Sequence, residues 1–330
     1  MKIMVYEARP DERADLEKQA ALHGVELSVT DAVPTLENAS LAAGCIGVSI
    51  LGQGCIDAAL LDAYHALGIR YLSTRTIGYD HIDLDHARSI GLRVCSASYA
   101  PNGVADFTVM MILMCLRHYK QALWRGQVND FSLTGLQGRE MKDLTIGIIG
   151  TGRIGAQVVR NLSGFGCRIL AYDLRRNPAV EPQVTYVDFD TLLAQSDVIT
   201  LHMPLLDSNR HIINRESVAK MRDGVVIVNC SRGELADIEA LIEGIETGKI
   251  GALGMDTVEG DEGIIHADHR VDILPNRNWF YLHQFRNVIM TQHMAFYTDA
   301  AVSSMVDCGI GGICQMAAGE SCPTELTGPV

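Results

Sequence analysis

Basic side chains are in short supply: 27 Lys and Arg stand against 40 Asp and Glu, a formal net charge of −13. A surface of that sign repels nucleic-acid phosphates and anionic lipid, so no nucleic acid and no membrane is expected as a partner. A small anion in a locally positive pocket stays possible. Proline is scarce, at 9 residues, and the 31 glycines follow no fixed period, which excludes collagen-like and low-complexity chains. Nine cysteines occur, at 45, 55, 95, 115, 167, 230, 308, 314 and 322, without a single CxxC pair. Neither a zinc ribbon nor a thioredoxin-type motif is therefore available. Cys115 in VMMILMCL and Cys230 in VVIVNC sit in apolar runs and read as small buried hydrophobes. That usage fits a reducing cytoplasm. Long apolar runs are missing too: the longest, 107–116, is too short to span a bilayer. The opening MKIMVYEARPDER turns charged by Glu7, so no signal peptide is expected there.

What is present is ample. Hydrophobic residues make up 48% of 330 positions, which rules out a disordered chain and, at ~100–200 residues per domain, suggests about two domains. Short β-branched runs alternate with amphipathic stretches almost throughout. KIMVYEA, CIGVSIL, RYLST and RVCSAS read as strands in the first hundred residues, with helical spacing at 12–23 and 56–67 between them. LTIGIIG, CRILAYD, DVITLHM, GVVIVNC and IGALGMD repeat the scheme, separated by helices predicted at 153–165, 188–195 and 236–247. Nearly all-apolar strands separated by helices imply an α/β chain with parallel sheets. A long helix is predicted over 103–119, with Asn102 as its N-cap, followed by a polar arm to 143 and a last amphipathic helix over 299–317.

One segment carries a specific chemistry. TIGIIGTGRIGAQVVRNL supplies strand, glycine turn and helix in order, and Gly150, Gly152 and Gly155 form G-x-G-x-x-G. The first glycine permits the tight turn, the second lets the backbone approach a pyrophosphate, and the third lets helix and strand pack closely. Asp173 ends the next strand, at the spacing of an acceptor for an adenosine ribose diol. A carboxylate there repels a 2′-phosphate and favours NAD over NADP, while Arg175 and Arg176 keep the second choice open.

Further polar groups stand at the ends of later strands, where open α/β sheets bind ligands: His202 and Pro204, Asn229 to Gly233, Asp256, and His293. Arg232 offers a planar fork suited to a carboxylate, although position alone also allows a structural ion pair. Together GTGRIG at 150–155, LHMPL at 201–205, VNCSRGELADIEAL at 228–241, GMDTVEGDEG at 254–263 and TQHMAFYT at 291–298 resemble the D-isomer-specific 2-hydroxyacid dehydrogenases, and their D-lactate dehydrogenase branch in particular. TRTIGYDHID at 74–83, SYAPNGVADFTV at 98–109 and a C-terminal TELTGP extend the resemblance over essentially the whole chain.

The resemblance implies an NADH-dependent reduction of a 2-oxo acid to a D-2-hydroxy acid. His293 matches the acid–base, Arg232 the arginine on the substrate carboxylate, and Asp261 the position of a carboxylate that pairs with the imidazole. The family has glutamate there, one methylene longer, so Glu259 and Glu262 stay open as substitutes. Gly150, Gly152, Arg153, Ile154, Gly155, Asp173, Met203, Pro204, Asn209, Cys230, Ser231, Arg232 and Asp256 match cofactor-binding positions. Ile77, Gly78, Tyr99, Arg232 and Phe296 match substrate-binding ones, and Gln292 replaces a common proline. No metal is implied, and His266 and His269 in HADH read as part of a solvated loop.

The implied fold is a Rossmann-like coenzyme domain, 101–298, inserted into a flavodoxin-like substrate domain, 1–100 and 299–330. The family also implies a homodimer through the coenzyme domains, with 104–116 and the arm as the surface. Pyruvate competes with larger substrates such as phenylpyruvate or 2-oxoisocaproate, because ILGQGC at 50–55 lacks a bulky aromatic. A protein that senses NADH without turnover is the second class of function.

Overall fold

The structure is a computed structural model describing residues 1–328; Pro329, which ends the TELTGP motif, and Val330 lie outside the described residues. The chain divides into two compact units, Met1–Ala100 with Tyr297–Val330, and Pro101–Phe296. Tyr297 and Thr298 thus group with the first unit.

The first unit holds strands β1 (Lys2–Val5), β2 (Glu26–Val29), β3 (Gly47–Ile50), β4 (Tyr71–Thr74) and β5 (Arg93–Cys95). They form one parallel sheet in the order β2-β1-β3-β4-β5. Its helices are α1 (Arg13–His23), α2 (Ala58–Ala66), α3 (Leu84–Ser89) and, last in the chain, α11 (Asp299–Ala317). Alternation along β1 explains the layering, because successive side chains in a strand point to opposite faces. Ile3 and Val5 join Leu16 of α1 and Val306, Ile310 and Ile313 of α11 in one core, whereas Met4 and Tyr6 join Leu60, Leu61 and Tyr64 of α2 in the other. Each such side chain contributes roughly 1.5–3 kcal/mol on full burial. By length and composition α11 could cross a membrane, but the burial of Val302, Met305, Val306, Ile310, Ile313 and Met316 accounts for its apolar face as that of a core helix. The edge strand β2 is half-exposed along its length, and its weak apolar pattern hides it from a reading by periodicity.

A buried ion pair lies within this unit. Arg75 and Glu12 are both 0% exposed, and Arg75 Nε donates to Glu12 Oε1 at 2.9 Å. The guanidinium also donates to Ser49 Oγ and to the carbonyls of Tyr6 and Glu7, so its charge is fully used.

The second unit carries β6 (Thr145–Ile149), β7 (Arg168–Tyr172), β8 (Thr185–Tyr186), β9 (Val198–Leu201), β10 (Val225–Asn229), β11 (Ile250–Met255) and β12 (Val288–Met290). They form a second parallel sheet in the order β12-β11-β10-β9-β6-β7-β8. Counted from β6, this is the doubly wound 3-2-1-4-5-6 order with one more strand, and its switch point falls between β6 and β9. Helices α4 (Asn102–Leu116), α5 (Tyr119–Gln127), α6 (Arg153–Ser163), α7 (Phe189–Gln195), α8 (Arg215–Lys220), α9 (Ile238–Glu246) and α10 (Arg277–His283) cover it.

Three local expectations change. The helix predicted over 103–119 breaks after Leu116, whose carbonyl takes the N–H of Arg139 at 3.1 Å, and His118 adopts φ +50° before α5 begins. Asn102 is the first helical residue rather than the cap; Pro101 holds that place with no side-chain bond. The stretch 277–283, given no element from sequence, forms α10, capped by Asn276.

Candidate active site

The glycine turn follows β6 directly. Gly150 has φ +95°, and a Cβ there would lie 2.6 Å from the His202 carbonyl oxygen. A Cβ on Gly155 would lie 2.0 Å from the Gly150 carbonyl oxygen, so helix α6 can seat on the strand only without one. At Gly152, the N-cap of α6, a Cβ would meet nothing within 4 Å. The turn is therefore closed on its protein side and open where a diphosphate approaches the helix N-terminus. Arg153 and Ile154 begin the helix.

Asp173, after β7, is tied to this turn. Its Oδ2 accepts from the Thr151 amide at 2.6 Å and hydroxyl at 3.0 Å, and its Oδ1 accepts from the Arg175 amide at 2.9 Å. A carboxylate has about four acceptor positions, so capacity remains for a ribose hydroxyl. Tyr186 donates to Thr151 Oγ1 at 2.9 Å, and the Arg176 guanidinium lies over the Tyr186 ring at 5.5 Å.

On the other side of the switch point, Asn209 staples the loop after β9. Its Nδ2 donates to the Pro204 carbonyl at 2.8 Å and reaches Met203 Sδ at 3.3 Å, while its Oδ1 accepts from the Leu206 amide at 2.8 Å. This brings together three positions matched to cofactor contact. His202 belongs to the packing instead: Thr200 Oγ1 lies 3.0 Å from its Nε2, its Nδ1 is buried without a partner among the described residues, and burial pulls its pKa down to about 3. It is a neutral group that backs the glycine turn.

The chemistry-bearing residues stand on three neighbouring strands. After β10, Ser231 Oγ donates to the Leu201 carbonyl at 2.6 Å, Asn229 Nδ2 donates to the Arg232 carbonyl at 2.7 Å, and Arg232 Nη1 donates to the Ser231 carbonyl at 2.9 Å. Cys230 is buried beside them, and burial pushes its thiol up. Gly233 lets this turn meet the next loop, since a Cβ there would lie 2.3 Å from Val258.

That next loop, after β11, begins with Asp256, which is 1% exposed. Its Oδ1 accepts from Thr291 Oγ1 at 2.6 Å and the Met294 amide at 2.9 Å; its Oδ2 accepts from the Ala295 amide at 2.8 Å. The matched cofactor position thus works as a clamp on both flanks of His293, which itself has φ +52°. Asp261 follows, with Oδ2 accepting the Val258 amide at 3.1 Å. Burial, with the negative charges of Glu262, Glu234 and Asp256 adding to it, raises Asp261 to about 7. Glu259, one of the open alternatives, is engaged elsewhere: its Oε1 lies 2.6 Å from His211 Nε2. Glu262 is exposed.

After β12, the rings of His293 and Phe296 meet edge to face at 6.3 Å, and His266 closes the group at 6.1 Å from His293 and 6.4 Å from Phe296. The sequence reading placed His266 only in a solvated loop, and spacing carries no signal for this contact. His269 turns to Asp272, 2.8 Å away.

Within the first unit, the switch point of the sheet lies between β1 and β3. There the buried Glu7 carboxylate accepts the amides of Leu51, Gly52 and Gln53, which shapes the 50–55 loop. Ile77 and Gly78 follow β4 in a turn drawn in by Thr76 Oγ1, which donates to the Gly78 carbonyl at 2.6 Å; Tyr99 follows β5.

Comparison with known proteins agrees with this geometry. Residues 109–295 match the model of the D-isomer specific 2-hydroxyacid dehydrogenase NAD-binding domain. An aromatic 2-oxoacid reductase from Clostridium sporogenes is 42% identical over 93% of each chain. The apo structure of D-lactate dehydrogenase from Escherichia coli superimposes with a TM-score of 0.88 at 36% identity, covering 99% of this chain and 100% of that one. The NAD-complexed D-isomer specific 2-hydroxyacid dehydrogenase of Lactobacillus delbrueckii ssp. bulgaricus gives a TM-score of 0.83 at 30% identity, over 99% and 100% of the two chains. With its glycine turn, its Asp173 and its Arg232–His293 strand ends, the chain belongs to the D-isomer-specific 2-hydroxyacid dehydrogenases, the NAD-dependent oxidoreductases that these relatives represent.

Proposed function

We propose that the protein reduces a 2-oxo acid to the corresponding D-2-hydroxy acid with NADH, acting in the cytoplasm. When bound, the cofactor supplies the hydride taken up at C2. Gly150, Gly152 and Gly155 hold its diphosphate and Asp173 its ribose. Protonated His293 donates to the C2 oxygen, and the reverse reaction uses the neutral ring as base. Arg232 binds the substrate carboxylate and polarises the carbonyl. Ile77, Gly78 and Tyr99 of the first unit are proposed as substrate-binding residues, as the family resemblance implies. Asp261 is assigned to the His293 imidazole, the pairing that the family resemblance implies. The observation that carries this reading is the Asp256 clamp, in which one buried carboxylate accepts from the Thr291 hydroxyl before one histidine and from the Met294 and Ala295 amides after it.

Between the substrate classes, the larger side chains are favoured over pyruvate. Leu51 in the 50–55 loop is aliphatic and followed by glycine, Phe296 stands in a cluster of rings, and a 42% identical relative is an aromatic 2-oxoacid reductase. A second copy of the chain is proposed to cover α4 and the arm, where Met110, Leu123, Trp124, Phe131 and Leu133 are exposed. A groove of about 530 Å³ between α4 and α6, lined by Val109, Met110, Leu113, Met114 and Phe165, runs through the same surface.

NADH oxidation with pyruvate, 2-oxoisocaproate and phenylpyruvate tests the activity, and chiral chromatography tests the product. The expected result is a higher kcat/KM for the two larger acids. Tight NADH binding with no turnover on any of the three would establish the sensor instead.

A further inference from the structure

His266 lies against His293, and the mechanism gives it no task. Its Nε2 lies 3.3 Å from the His293 carbonyl oxygen. Its ring lies 6.1 Å from the His293 ring and 6.4 Å from the Phe296 ring, and those two are 6.3 Å apart, so the three close a triangle. Both histidines have left-handed backbones, φ +62° at His266 and +52° at His293. A non-glycine residue leaves that region unless its surroundings hold it there, and such positions gather at functional sites. The Asp256 clamp grips the neighbours of His293 on both flanks. It accepts from Thr291, Met294 and Ala295, which leaves the His293 carbonyl outside its reach as an acceptor-only group.

We propose that His266 is a positioning residue for the reaction. As the Nε2–H tautomer it donates to the His293 carbonyl, adding at the residue itself a hold that Asp256 applies only through its neighbours. With Phe296 it also brackets the imidazole, limiting the ring's rotation about the strained backbone. His266 takes no proton from the substrate in this scheme. It sets how often His293 stands in the reactive orientation, and so acts on kcat rather than on cofactor binding. The inference rests on the reading of His293 as the acid–base.

Three variants separate the donor from the ring. H266F keeps a ring and loses the donor; H266Q restores an N–H at similar reach without the ring; H266A lacks both. Steady-state kinetics with the best 2-oxo acid are measured alongside NADH affinity by fluorescence. The expected result is a fall in kcat of about three- to tenfold for H266F, the span of one hydrogen bond. H266Q should recover to within about twofold of wild type, with H266A lowest and NADH affinity unchanged in all three. Wild-type kcat in H266F, or H266Q as impaired as H266A, overturns the proposal. So does a loss of NADH affinity in step with kcat, which would mark a general structural role. H293A separates the two levels: if it keeps its turnover, the acid–base reading fails, whereas an inactive H293A beside an unaffected H266F sinks only the role of His266.

Discussion

Replacing Asp256 with alanine removes the single acceptor shared by the Thr291 hydroxyl and the amides of Met294 and Ala295. Hydrogen bonds to a charged group are worth about 1.5–3 kcal/mol each, and an unsatisfied buried donor costs about 1–3 kcal/mol. The three donors do not fare alike. Met294 is 36% exposed, so its amide finds water, whereas Ala295 is 4% exposed and its amide is left dry. The Thr291 hydroxyl can rotate to another partner. The uncompensated loss is then close to one buried amide plus one charge-assisted bond, about 3–4 kcal/mol, and it falls on the loop that carries His293. Local weakening of about 3 kcal/mol shifts the equilibrium between placed and displaced His293 by roughly a hundredfold, since each 1.4 kcal/mol is a factor of ten, which is the full loss where the loop is marginally held. D256A should therefore lose about two orders of magnitude in kcat while its NADH affinity changes little, and T291V, which spares both amides, should lose less than about fivefold. Single-turnover NADH oxidation read beside NADH fluorescence titration gives both numbers. A D256A enzyme with near-normal kcat and strongly weakened NADH binding would refute the clamp and return Asp256 to the cofactor contact expected from sequence.

Other tests address separate layers of the structure. Burial lifts Asp261 from an ordinary 3.8 to about 7, so between those values the folded protein keeps a proton that the unfolded chain gives up. Stability should fall as pH rises through that window and level off above it, by up to about 4 kcal/mol. Urea midpoints over the same range should flatten in D261N; parallel curves for the two proteins would refute the buried acid. G155A should fail to bind NADH, because its Cβ would lie 2.0 Å from the Gly150 carbonyl oxygen, and a calorimetric titration with normal affinity would contradict the turn geometry. E12Q leaves the 0% exposed Arg75 without its counter-charge, which should cost about 3–5 kcal/mol in urea unfolding of the first unit; an unshifted transition there would mean the pair is not structural.

Much of this architecture can be read along the chain, because the signals are local. A strand buried on both faces is an apolar run, a helix has its own period, and the glycine turn has its three residues within six positions. The two parallel sheets, the turn at Gly150–Gly155, and the candidate residues Arg232, Asp261 and His293 all follow from such patterns and from the family resemblance they carry. Local signals fail where the partner is distant. The edge strand β2 lacks an apolar pattern, and the break after Leu116 depends on an amide from Arg139, 23 residues on.

The site shows the same division. The family resemblance matches Asp256 to a cofactor position and leaves Asp261, Glu259 and Glu262 open as partners of one imidazole. Folding commits Asp256 to the His293 loop, sends Glu259 to His211, and half-buries Asp261, which raises its carboxyl to about 7. It pairs Arg75 with Glu12 from 63 positions away and sets His266 against His293 across 27. Residue type decides which chemistry a position can perform. Which donor meets which acceptor, and how much water is left around the pair, is decided only when β10, β11 and β12 lie side by side and their loops are pressed together.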